Sequence, residues 1–157
     1  MNDLLVQFVT EARELLQDAG EALLSLERTP DDETAVNRLF RSVHTLKGSS
    51  GLFEAQPLTE VLHAAEDIFH AVREHGIALT PEMVDLTLKV LDQVGRWIGH
   101  LDQHAGLPDD AGSIARTMVA ELRSHFGRRA GEPLARIRRS GRFFPIGSGP
   151  GICRSSG

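Results

Sequence analysis

Apolar residues recur along most of the chain at steps of three and four, the period of a helix that buries one face. The first such run, Leu4, Phe8, Ala12, Leu15, Ala19, Leu23 and Leu26, predicts a helix over 3–27. Gly20 inside it costs about 1 kcal/mol against alanine, which the length and packing of the helix absorb. Arg28-Thr29-Pro30-Asp31-Asp32 breaks the period, and its aspartates offer an N-cap to the next helix. That second helix is expected over about 33–50, with Val36, Leu39, Phe40, Val43 and Leu46 inward and Gly51 as C-cap. Pro57 suits the first turn of a third, over about 57–75. Its stripe is Leu58, Leu62, Ala65, Phe69 and Val72, supported by Val61 and Ile68, and His63, Glu66 and His70 fall on a neighbouring stripe.

His75-Gly76 closes that helix, and Thr80-Pro81-Glu82 opens a fourth as N-cap, first helical residue and first-turn acid. Met83, Leu86, Val90, Val94, Trp97 and Leu101 carry it to about 103, where the loop Gly106–Gly112 stops it. Ser113 is the expected cap of a shorter fifth helix bearing Ile114, Met118, Leu122 and Phe126. Short loops between long amphipathic helices force neighbours to run antiparallel. The expected fold is therefore all-α: an antiparallel up-down four-helix bundle with an additional fifth C-terminal helix. No strand-like alternation competes, and no internal repeat is present.

Charge divides the chain in two. Residues 128–157 carry seven arginines against one glutamate, a net +6, which leaves residues 1–127 at −11 of the chain's overall −5. A body so acidic is a poor nucleic-acid binder, because phosphate contacts supply most of that affinity. No nucleic acid is expected as a partner. The segment 128–157 is rich in Arg, Gly, Ser and Pro and too poor in apolar residues to offset the entropy of ordering. It reads as a linker or disordered tail beside a 1–127 domain. The lone cysteine, Cys153, permits no intrachain disulfide and fits a reducing compartment. Met1-Asn2-Asp3-Leu4 lacks a basic stretch ahead of an apolar one, and no apolar run approaches a membrane-spanning length. A cytoplasmic protein that meets no membrane is the expectation.

The chemistry concentrates in His44-Thr45-Leu46-Lys47-Gly48-Ser49-Ser50-Gly51. At helical spacing His44, Lys47, Gly48 and Gly51 share one face, beside the core-directed Leu39, Phe40, Val43 and Leu46. A histidine that accepts a phosphoryl group needs an unprotonated attacking nitrogen, and a free imidazole is mostly neutral near pH 7. It needs a fixed acceptor for its other ring nitrogen, a nearby cation for the transferred charge, and a surface low enough for a large partner. Lys47 supplies the cation, Gly48 and its neighbours keep the surface low, and Glu66 on the adjacent helix is the natural acceptor, with His63 one turn before it.

Simpler readings compete. A lone helical histidine is more often an ordinary surface residue. Lys47 and Glu66 would then be solvated charges whose pairing contributes at most about 1 kcal/mol, and Gly48 would merely permit close helix packing. A rival of another class is a metal-binding bundle, since Glu60-Val61-Leu62-His63 is a Glu-x-x-His. Di-iron bundles need two such motifs, and no second one occurs here. His100 and His104 could clamp a zinc, but outside a His-Glu-x-x-His pattern. A phosphotransfer-dead helical scaffold is the third alternative.

The segment Leu39-Phe40-Arg41-Ser42-Val43-His44-Thr45-Leu46-Lys47-Gly48-Ser49-Ser50-Gly51 closely resembles histidine-containing phosphotransfer (HPt) domains. His63-Ala64-Ala65-Glu66, nineteen residues beyond His44, is similar to the second motif of the N-terminal domain of chemotaxis-type histidine kinases, the CheA family. Phe8–Leu16 looks like that family's first helix. The resemblance covers about residues 2–104 and, more loosely, to 126. It implies that His44 takes a phosphoryl group from ATP bound to a separate histidine kinase catalytic domain and passes it to an aspartate of a response-regulator receiver domain. Lys47, His63, Glu66 and Gly48 would surround it. One departure is Glu54-Ala55, where relatives often have a glycine-containing turn. No Walker loop or Gly-rich dinucleotide turn is present. The chain is therefore expected to carry no cofactor, to leave ATP and Mg²⁺ to partner domains, and to act as a phosphoryl carrier rather than an enzyme by itself.

Overall fold

Asp32 and Thr80 start helices as their positions foretell. The Asp32 carboxylate accepts from the backbone N–H of Thr34 at 3.0 Å and of Ala35 at 3.2 Å. Thr80 Oγ1 accepts from the Met83 N–H at 3.3 Å, while Met83 Sδ accepts from the Thr80 N–H, a reciprocal cap built with a thioether. Gly76, at φ 60°, ends another helix in the left-handed conformation and returns its N–H to Val72 O. The computed structural model describes residues 3–130. These form α1 (Asp3–Arg28), α2 (Glu33–Ser50), α3 (Gln56–His75), α4 (Pro81–His104) and α5 (Ala111–Ala130), with one 3₁₀ turn at Gly51–Phe53. The fold is the expected all-α bundle. The tail from residue 131, including Cys153, lies outside the described residues.

Cross-helix pairs set the directions. Arg38 of α2 reaches back to Asp18 and Glu21 of α1, and Arg13 of α1 pairs with Asp102 near the end of α4 at 3.2 Å. On α2 and α3, Ser50 meets Thr59, His44 meets Glu66, and Phe40 meets Arg73. Each pairing runs antiparallel. α1 packs on α2 and α4, and α3 on α2 and α5, so the fifth helix covers more of α3 than α4 does. Between them lie Leu23, Leu26, Leu39, Leu46, Leu58, Leu62, Phe69, Trp97 and Ile98, all buried. Trp97 Nε1 has no hydrogen-bond partner among the described residues. That omission costs about 1–3 kcal/mol, less than the ~4–6 kcal/mol gained by burying the ring.

Three expectations need correction. Leu4 is 51% exposed, because it lies in the first turn of α1 and burial begins at Phe8 and Val9. Gly51 is the C-cap of α2, as expected, with its N–H returned to Lys47 O, but it does not reverse the chain. Its φ of −61° is right-handed, and the backbone runs on through the 3₁₀ turn. That extra turn lets Phe53 pack on Phe8 of α1 at a 32° tilt, with ring centroids 4.7 Å apart. The left-handed residue is Glu54, at φ 51°. Finally, Ser113 does not cap α5, nor is α5 short. Pro108 O takes the Ala111 N–H and Asp110 O takes the Ile114 N–H, so the helix starts three residues earlier, at the buried Ala111, and runs 20 residues.

A left-handed backbone costs a residue with a Cβ about 1–2 kcal/mol, partly offset by the greater unfolded freedom of glycine. Glu54→Gly should therefore stabilise the domain by about 1 kcal/mol in urea unfolding; an unchanged midpoint would mean that Glu54 is not strained.

Candidate functional site

His44 sits on the half of α2 that faces α3, and the antiparallel register brings Glu66 opposite it. His44 Nδ1 lies 2.5 Å from Glu66 Oε1. An ionised carboxylate can only accept, so Nδ1 carries the proton and Nε2 keeps its lone pair in the neutral ring. The His44 side chain is 60% exposed while that of Glu66 is 12%. The imidazole is thus at the surface and its anchor beneath it. Lys47, one turn after His44, forms an ion pair with the other carboxylate oxygen, Oε2.

Burial acts to raise the Glu66 pKa. Hydrogen bonds from Lys47 and His44, with their charges, outweigh it and hold the carboxyl below its ordinary value. Glu66 therefore stays ionised at neutral pH, as an acceptor for both partners must. Beneath the site, Ser50 Oγ donates to Lys47 O at 2.8 Å and lies 3.1 Å from Thr59 Oγ1. This contact fastens the end of α2 to the start of α3.

Of the residues singled out from sequence, His44, Lys47 and Glu66 come together. Gly48 lies exposed on the same face, and a Cβ built there would meet nothing within 4 Å. Close helix packing is thus not the reason for Gly48. His63 lies one turn before Glu66, but its Nε2 faces Asp67 Oδ2 at 3.6 Å. It lines a shallow depression with Glu54 and Glu60, not the His44 ring. Glu60 and His63 are both exposed, whereas a di-iron motif projects into a bundle interior. The His100 and His104 rings pack at a 39° tilt with centroids 4.3 Å apart, and His100 Nδ1 donates to Gly106 O at 2.6 Å. Among the described residues, no three His, Cys, Asp or Glu side chains gather to hold a metal.

Sequence reasoning missed a further contact. Phe40, read as core, is only half-buried. Its ring lies nearly parallel to that of His44, and Arg73 of α3 stands over it. The one available signal was the spacing of four between Phe40 and His44; nothing local points to Arg73.

Comparisons with known proteins give the family and the fold. The family model for the Hpt domain matches residues 3–105. The chain is 34% identical over 92 residues to the sensor histidine kinase CheAY of Helicobacter pylori, covering 59% of this chain and 12% of that protein. The chain thus spans about an eighth of that relative's length. Among solved structures, it is similar to the phosphorylated P1 domain of CheA3 in complex with CheY6 from R. sphaeroides, with a TM-score of 0.73 and 25% identity. That match covers 82% of this chain and 98% of that one. It is also similar to the histidine phosphotransfer domain of CheA, with a TM-score of 0.71 and 29% identity over 80% and 92% of the two chains. With the family model covering most of the chain and the fold shared, this chain belongs to the Hpt domain family.

Proposed function

We propose that this chain is a phosphoryl carrier of two-component signalling, in a chemotaxis-like pathway, with His44 as the acceptor. The observation that carries the reading is an exposed imidazole whose Nδ1 is tethered to a largely covered, ionised Glu66 beside Lys47. In the transfer, the Nε2 lone pair forms a bond to phosphorus as the bond from phosphorus to the leaving oxygen breaks. That oxygen keeps the electron pair. The imidazole gains positive character, which Glu66 stabilises as the aspartate of a catalytic triad stabilises its histidine. Lys47 is placed to offset charge on the transferred group.

The donor is the catalytic domain of a histidine kinase, which binds ATP and Mg²⁺, and the recipient is the receiver domain of a response regulator. The similarity to a phosphorylated P1 domain bound to CheY6 supports the second partnership. By itself the chain carries phosphate and does not catalyse its own phosphorylation; as part of a longer protein it would be the substrate domain of a sensor kinase. The reading places it in the cytoplasm. No described helix is long and apolar enough to cross a membrane.

Intact mass after transfer from a phosphorylated receiver domain tests the central assignment. One acid-labile, alkali-stable phosphate is expected on the native chain and none on His44→Gln; a labelled His44→Gln would sink it. Glu66→Ala should slow transfer without unfolding the bundle, and Lys47→Ala should slow it less than loss of His44 does.

Because the folded Glu66 pKa is lowered, its contribution to stability is present above the ordinary carboxylate range and lost as pH falls through the folded value. The stability gap between native chain and Glu66→Gln should shrink in urea titrations from pH about 7 to about 3. A constant gap would contradict the pairing.

Gly48→Ala should stabilise α2 by about 1 kcal/mol, since its Cβ meets open space. It should also slow transfer with partner domains, where that Cβ intrudes. Unfolding midpoints and transfer rates on the same variant separate the two effects, and a stabilised variant with native transfer would remove the steric role.

A further inference from the structure

On the side of His44 toward the start of α2, a second set of contacts bears on the same imidazole. The Phe40 and His44 rings stand 15° from parallel, with centroids 5.9 Å apart. The Arg73 guanidinium carbon lies 4.1 Å from the Phe40 ring centre, and the His70 ring is 6.0 Å away at a tilt of 43°. Glu66 and Arg73 are seven residues apart, so they share a face of α3; His44 and Phe40, four apart, share a face of α2. The antiparallel register matches the two pairs, Glu66 to His44 and Arg73 to Phe40.

One hydrogen bond fixes the tautomer and one distance, while the His44 side chain has two torsions, so the ring can still tilt with that distance kept. A second constraint must set its plane. We infer that Phe40, held by Arg73, is a positioning residue that fixes the plane of the His44 imidazole, so that the tethered ring presents Nε2 in one direction. This rests on the reading of His44 as phosphoryl acceptor. Phe40 suits the task because it packs against the core on one side and remains half-exposed on the other. Arg73 suits it because a planar guanidinium lies flat on an aromatic face, as an ammonium does not. Misplacing a reacting atom by about 1 Å costs on the order of a hundredfold in rate. Loss of the plane alone, with the tether kept, costs less.

The test uses the full chain and a small-molecule phosphoramidate, whose P–N bond breaks with loss of ammonia as Nε2 takes the phosphoryl group. No protein docks in this reaction. Phe40→Leu and Arg73→Gln, each checked for cooperative unfolding, should lower the rate about five- to tenfold. Nitrogen-15 spectra should show the His44 ring losing its single ordered environment. Phe40→Tyr, which keeps the ring face, should retain both the rate and the spectrum. Arg73→Gln removes no core atoms, so it remains informative if Phe40→Leu does not fold. Unchanged rates and ring signals overturn the proposal, as does slowing confined to transfer from a kinase domain, which would make Phe40 a docking residue. Failure of the underlying reading is distinct: it would appear as phosphate on His44→Gln in the same reaction.

Discussion

The Glu66 carboxylate holds two side chains of the facing helix at once, His44 by one oxygen and Lys47 by the other. Neither contact survives a slip of α2 along α3 by one turn, about 5.4 Å. The site therefore depends on a register that the site itself is too weak to impose. An ion pair near the surface contributes at most about 1 kcal/mol, whereas each fully buried Leu or Phe contributes about 1.5–3 kcal/mol. Leu39, Val43 and Leu46 on α2, with Leu58, Leu62, Ala65 and Phe69 on α3, are all buried. The core fixes the register and the polar groups use it. The Ser50–Thr59 contact pins the same register where α2 ends.

Helix starts were legible in the sequence wherever a side chain makes the boundary: Asp32 and Thr80 cap through their own oxygens. They were illegible where tertiary contact decides. Gly51 does end α2, yet instead of reversing there the chain runs on through a 3₁₀ turn that sets Phe53 against Phe8. The reversal then falls on Glu54, which no propensity would choose. Ser113 misleads for a similar reason, since burial of Ala111 draws the helix start forward.

The meeting of His44, Lys47 and Glu66 was legible because the two motifs have fixed spacings on adjacent antiparallel helices. His63 shows the limit of that logic. Spacing places it one turn from Glu66, but at 60% side-chain exposure beside Asp67 it stays apart from the imidazole. Phe40 shows the opposite failure. Helical period sends an aromatic inward, and only the position of Arg73, thirty-three residues later, reveals that half of its ring serves the surface. Pairings between helices at such separations have no local signature.

The shape of the site also bears on why a carrier would be built this way. His44 stands on a convex face with open space beside it at Gly48 and Gly51. Such a site cannot exclude water, so the low-dielectric surroundings that strengthen catalytic electrostatics must come with each partner. In the proposed relay this incompleteness is an advantage. A pocket that wrapped the phosphoryl oxygens with several donors would stabilise the phosphorylated ground state and raise the barrier to passing the group on. Lys47 near the acceptor, itself held by Glu66, offsets charge without enclosing it. What the domain must supply is direction, one lone pair aimed outward from a rigid helix face, and two helices in fixed register are sufficient for that.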